Sequence, residues 1–169
     1  MVKYRRGYRS KDVEYRGSAG RFGAPGDFAE VYVVADEIGH HVQNVLGISD
    51  DVRSKQQAEP NMANQYSVRL ELQADRLAGV WGFQAAGRDA TLSDGSGNIL
   101  HLDRGDLEKG LKAAGPVGDD RIQETAAGSS NPHTFTHGTA KQQIGWFTVG
   151  FETGKPSRCD TFSLEYSEL

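Results

Sequence analysis

The stretch from Phe28 to Leu46 constrains this chain most. Phe28, Val31, Ala35, Ile38, Val42 and Val45 recur at the three- and four-residue spacing of one helix face. Gly23-Ala24-Pro25-Gly26 breaks the chain just before it. Asp27 then reads as an N-cap, with Glu30 three residues on as in a capping box. Gly47 follows Leu46, where a left-handed residue would end the helix. A helix is therefore predicted over 28–46, with that stripe turned to the core. Asp36 and His40, four residues apart, share a face beside the stripe, and Glu37 and His41 lie on the next face round.

Asp36-Glu37-Ile38-Gly39-His40 is one residue away from H-E-x-x-H. In that pattern two His four apart on a helix grip a metal, and the Glu between them acts as general base. A second helix is predicted from Tyr66 to Ala85, with Leu70, Ala74, Leu77, Ala78 and Trp81 as its stripe and Gly87 at its end. Glu71 and Asp75, four apart on an adjoining face, have the form of a helix that supplies a carboxylate ligand. His41 points roughly 100° away from His40 and reads as a surface residue or a substitute ligand.

Ser49 to Ala63 is polar and reads as a loop with at most a helical turn. Thr91-Leu92 against Ile99-His101 suggests a short hairpin. Helices are predicted over 103–114 and from Gly118-Asp119-Asp120 to about Ala127, with a turn at Ser129 to Pro132. Thr139 with Gln142 forms a second capping box, opening a helix that carries Ile144, Trp146, Phe147 and Phe151 to the core. His137 precedes that helix. It reads equally as an oxyanion-stabilising group or as a loop His that packs or caps. After Gly154 the chain reads as loop. The organisation expected is a basic, poorly ordered segment at 1–20, one domain at 21–162 and a tail at 163–169.

Composition narrows the function classes. The 169 residues are 37% hydrophobic with 21 Gly, which predicts one domain with a modest core and long loops. Through Arg21 seven Lys/Arg stand against two Asp/Glu, a net of +5; the remainder has 12 against 21, a net of −9. An acidic body argues against a nucleic-acid footprint. No run of about 18 apolar residues is present to span a membrane, and the basic N-terminus has no apolar core of a signal peptide, so a cytoplasmic location is the default expectation. Cys159, the single cysteine, makes no internal disulfide.

Several blocks in order resemble the bacterial family named "putative neutral zinc metallopeptidase". They are Gly23-Ala24-Pro25-Gly26-Asp27-Phe28-Ala29, Glu37-Ile38-Gly39-His40-His41-Val42-Gln43, Arg69 to Asp75 and Ala78-Gly79-Val80-Trp81. Further on come Gly118-Asp119-Asp120-Arg121, Phe135-Thr136-His137-Gly138, Trp146-Phe147, Gly150-Phe151-Glu152 and Cys159-Asp160-Thr161-Phe162. The resemblance implies a mostly α (α+β) fold: a zincin-like helical core with little or no sheet, the family's N-terminal sheet segment being truncated here. It implies zinc as the cofactor and a peptide or protein as substrate. Carried over by position, His40 and Glu71 are metal ligands, Glu37 is the general base and Asp75 stands behind the ligands.

The sequence departs from the family at Asp36, which stands where a His ligand belongs, and at Arg76, which stands where Cys would pair with Cys159. With Asp36 as ligand, Zn²⁺, two carboxylates and a neutral His sum to zero charge rather than +1. That weakens the Lewis acid and makes Mn²⁺ more acceptable. Asp is also shorter than His, so its reach to a metal is in question. Without a metal, Asp36, Glu37, Glu71 and Asp75 crowd together, and at least one carboxylate is expected to hold a proton unless His40, His41 or Arg76 compensates. Three functions stay open: a metal-dependent peptidase of reduced activity, an inactive relative kept as a binding or regulatory module, or a decayed product whose N-terminal segment no longer completes the sheet.

Overall fold

The computed structural model describes residues 28–86, 92–93, 99–100 and 118–169. The basic segment, the Asp27 cap and the helix expected at 103–114 lie outside the described residues. The fold is mostly helical, as expected. Among the described residues α1 spans Phe28–Val45, α2 Ile48–Ala58, α3 Ala63–Ala86, α4 Asp119–Ala127 and α5 Ala140–Thr153. The only sheet among them is a two-stranded antiparallel ladder, β1 (Leu92–Ser93) on β2 (Ile99–Leu100), with Leu92 opposite Leu100. This is the core of the expected hairpin. No described helix is long and apolar enough to cross a membrane.

Gly47 ends α1 at φ 77°, as anticipated, and at once starts α2. The polar stretch read as loop is therefore a helix of 11 residues. Asp50 and Asp51 in its first turn and Lys55 in its last complement the helix dipole. Val52 is its one buried residue, so there was no apolar stripe to read.

The buried face of α1 follows the expected stripe at Ala35 but not at Ile38 or Val45. Tyr32, Ala35, Gly39 and Gln43 face inward, whereas Ile38 is 40% and Val45 72% exposed. The cause is α3, against which α1 lies closely. A Cβ on Gly39 would come within 2.8 Å of the Ala74 carbonyl oxygen. Polar Gln43 is fully buried because α3 answers its hydrogen bonds (below), and so it displaces an apolar residue from that face.

Helix α3 is the central element. Val68, Leu72, Gln73, Ala74, Asp75, Arg76, Ala78 and Val80 are all buried, so it is enclosed on nearly every side. α1 packs on it through Tyr32 and Ala35, in one cluster with Ala78 and Phe147. The rings of Tyr32 and Phe147 lie 5.4 Å apart. α5 crosses it where backbone meets backbone: a Cβ on Gly79 would overlap the Phe147 carbonyl, and one on Gly150 the Arg76 carbonyl. The expected stripe of α5 does pack inward through Phe147, Ile144 and Phe151, and through Trp146 on a second cluster. Arg76 lies over the Trp146 ring at 5.1 Å, not among the carboxylates as one reading allowed. Cys159 is a buried free thiol.

The tail is more structured than a loop. Thr161 is fully buried; its Oγ1 donates to the Arg69 carbonyl at 2.6 Å, and Arg69 Nη1 donates to the Thr161 carbonyl. Tyr166 and Leu169 pack on the cluster of Val68, Leu72 and Phe135.

The N-termini of α4 and α5 meet in one knot. The capping box of Thr139 and Gln142 is formed as expected. Asp120 Oδ1 accepts from the Ala140 N–H at 2.8 Å. Asp119 Oδ2 accepts from the N–H groups of Thr136, His137 and Gly138 at 2.6, 2.6 and 3.2 Å. Burial alone would raise the Asp119 carboxyl, but the backbone bonds from His137 and Thr136 outweigh it and hold the group below the usual carboxylate range.

Gly150→Ala and Gly79→Ala should each lower Tm by roughly 5 °C or more through forced helix separation. Gly145→Ala, on the same helix with open space around its Cβ, should leave Tm unchanged or raise it. The stabilisation from Asp119 should be present above about pH 4, its ordinary value, and vanish as pH falls through the depressed folded value. The Tm gap between wild type and Asp119→Asn, scanned against pH, should therefore be wide at neutral pH and close in acid.

Candidate metal centre

The inward edge of α1 and the facing edge of α3 bring Asp36, His40 and Glu71 together. One donor atom from each lies within 4.8 Å of the others. His40 Nε2 is 3.4 Å from Glu71 Oε2 and 3.7 Å from Asp36 Oδ2. Donors about 2.0–2.1 Å from a tetrahedral metal sit roughly 3.4 Å apart, so these separations suit one cation. Asp36, His40 and Glu71 are each half-buried, open enough for solvent to enter.

A hydrogen-bond relay determines which nitrogen of His40 faces the other two. Two backbone carbonyls anchor it, and carbonyls can only accept. Gln73 Nε2 donates to the Cys159 carbonyl at 2.7 Å, so Gln73 presents its oxygen to Gln43. Gln43 Nε2 donates to that oxygen at 3.0 Å and to the Leu70 carbonyl at 2.7 Å. Gln43 Oε1 is thus left to accept from His40 Nδ1 at 2.9 Å. Nδ1 must carry a proton, and Nε2 is the nitrogen left for a metal. Sequence reasoning missed Gln43 and Gln73. The signal for Gln43 was its position three residues after His40, on the same face.

The site is rich in negative charge. Asp75 is buried directly behind it and accepts a hydrogen bond from the Tyr32 hydroxyl. Burial, and then the charge of Asp36, push the Asp75 carboxyl well above its ordinary range, against the pull of the Tyr32 bond. Burial, followed by the Asp75 carboxylate, likewise raises the Tyr32 phenol. Asp36 is pushed up to about 6, first by burial and then by Glu71 and Glu37, with His40 opposing. His40 is raised to about 9, chiefly by its hydrogen bond to Glu71. Without a metal, a proton on His40 offsets part of the negative charge, and the rises at Asp75 and Asp36 run in the direction expected of crowded, buried acids.

Glu37 is exposed, one residue from Asp36, and its charge is felt there. His41 is exposed on the neighbouring face, as a surface residue would be. His137 is more than half exposed on the loop before α5, and its charge too is felt at Asp36. Its Nδ1 lies 3.3 Å from Asp119 Oδ1. Sequence reasoning had not linked Asp119 to His137; 18 residues separate them, and only the fold closes that distance.

The family described as "Putative neutral zinc metallopeptidase" matches residues 12–162. "Uncharacterized protein YpfJ" of Escherichia coli K12 is 47% identical over 143 residues, which are 84% of this chain and 46% of that protein. "Uncharacterized protein Rv2575" of Mycobacterium tuberculosis is 48% identical over 147 residues, 85% of this chain and 47% of that protein. The chain spans about half the length of these curated relatives. No solved structure matches it. On the match over residues 12–162, this chain belongs to the "Putative neutral zinc metallopeptidase" family.

Proposed function

We propose that the chain is a metal-dependent peptidase whose cation is held by Asp36, His40 and Glu71. The observation that carries this is the convergence of those three donors, with His40 Nδ1 engaged by Gln43 and Nε2 turned to the carboxylates. A divalent cation there, zinc first and Mn²⁺ second, would supply a Lewis acid and a water of lowered pKa. The protein's own groups do the rest. Glu37, exposed beside the site, takes the proton from the attacking water and returns it to the departing amine. His137 donates a hydrogen bond to the carbonyl oxygen of the peptide. Asp75, pinned by Tyr32, stands behind the ligands as a buried carboxyl that readily holds a proton. Asp36 makes the cation less electrophilic than a His would, so a slow enzyme is expected.

Metal binding has a definite pH dependence. A ligating His must be neutral, and metal-free His40, raised to about 9, is protonated at pH 7. Binding must expel that proton. Affinity should therefore climb as pH rises to about 9, and fall more steeply below about 6, where Asp36 also takes a proton.

Calorimetric zinc titration in buffers of different ionisation enthalpy should give about one bound ion and about one released proton at pH 7. Asp36→His should bind at least tenfold more tightly, and Gln43→Met should lose roughly 10- to 100-fold in affinity. With zinc or Mn²⁺ added, peptide hydrolysis should be detectable in wild type, higher in Asp36→His, and lost by a factor of at least 100 in Glu37→Gln. Hydrolysis absent from wild type and Asp36→His alike would leave the binding-module reading.

A further inference from the structure

The chain contains a second histidine held in the manner of His40, by a residue that nothing so far has assigned to the site. His137 Nδ1 lies 3.3 Å from Asp119 Oδ1 and 3.1 Å from Thr136 Oγ1. The other Asp119 oxygen gathers the N–H groups of Thr136, His137 and Gly138. One carboxylate therefore fixes both the backbone that carries His137 and one nitrogen of its ring. Asp119 is itself 9% exposed, and its own N–H donates to the Gly138 carbonyl at 2.9 Å, so the hold is mutual. Gln143 Nε2 adds a bond to the His137 carbonyl at 3.3 Å.

This is more anchoring than a surface loop needs. Phe135 is buried on Val68 and Leu72, and a Cβ on Gly138 would sit 3.3 Å from Val68 and 3.5 Å from Leu72. The loop thus lies on the turns of α3 that carry Glu71. The ring itself is left more than half exposed, and among the described residues its bonded nitrogen is Nδ1. A carboxylate can only accept, so Nδ1 carries a proton whether the ring is neutral or charged. Nε2 is the nitrogen left for a ligand.

We infer that Asp119 is the positioning residue that holds the ring of His137 through Nδ1–H, aiming Nε2 at the carbonyl oxygen of a peptide bound over Asp36, His40 and Glu71. The inference rests on the peptidase reading above. With Nδ1–H held by Asp119, Nε2 donates to that oxygen only from the doubly protonated ring, and the bond strengthens as negative charge gathers there in the transition state. Asp119 itself touches no substrate. It acts as the carboxylate of a His–Asp pair does, by holding the ring in one orientation and facing its positive charge.

The test is ¹⁵N NMR of the imidazoles in the whole chain, with the His137 signals assigned by their loss in His137→Gln. Neutral His137 in wild type should show a protonated Nδ1 and a bare Nε2. Asp119→Asn should convert it largely to the Nε2–H form, because the Asn amide can donate to Nδ1. An Nε2–H tautomer in wild type overturns the inference, even where Asp119→Asn fails to fold. With zinc added, His137→Gln should lower kcat about 100-fold, and Asp119→Asn, whose neutral Nε2–H ring donates more weakly than an imidazolium, about tenfold, both with KM within about threefold. Wild-type kcat in His137→Gln also overturns it. Failure of the peptidase reading looks different: wild type and Asp36→His hydrolyse no peptide, while the tautomer in wild type still follows Asp119.

Discussion

The contact between α1 and α3 is polar at its centre, and the candidate site depends on that. Gln43 is buried without solvent, and it is tolerable there only because its amide is fully answered by His40, Leu70 and Gln73. Replacing one member leaves another unpaired in a dry place, which costs about 1–3 kcal/mol. The same bonds give His40 its orientation. Stability and ligand geometry are thus one set of interactions, and the relay ends on Cys159, in the segment after α5. The tail is part of the site's foundation rather than an appendage.

Around that contact the helices are brought unusually close. Gly39 against Ala74, and Gly79 and Gly150 at the crossing of α3 with α5, let backbones approach where any side chain would hold them apart. Only at such a separation can short side chains such as Asp36 and Glu71 meet across the groove. The acids gathered there repel one another, and Asp75 behind them adds to the strain. Such an arrangement is costly for packing alone. A cation, or protons in its absence, relieves it.

Much of this was legible in order of residues. The Asp36–His40 spacing, the Glu71–Asp75 pair, the Thr139–Gln142 cap and the inward stripe of α5 each express a local rule, in which a helix places residues three or four apart on one face. Other features had no local signature. α2 has a single buried residue and looked like a loop. The buried face of α1 was misjudged at Ile38 and Val45, which apolar spacing favours, while the fold buries Gly39 and Gln43 instead. A polar residue is buried only where a partner waits on another element, and a sequence does not announce that partner.

Sequence by itself determined the helices that carry the candidate ligands, the Gly47 end of α1, the residue types offered as ligands and the family to which their blocks point. These follow from short-range periodicity and residue type. Tertiary structure decided that Asp36 reaches His40, that Gln43 and Gln73 select the nitrogen His40 offers, and that Asp119 meets His137. Each of these joins separate elements, and hydrogen bonds act only within about 3 Å. Whether two such groups come within that range is settled by how closely the helices pack, and here that depends on the absence of a Cβ at a few crossings.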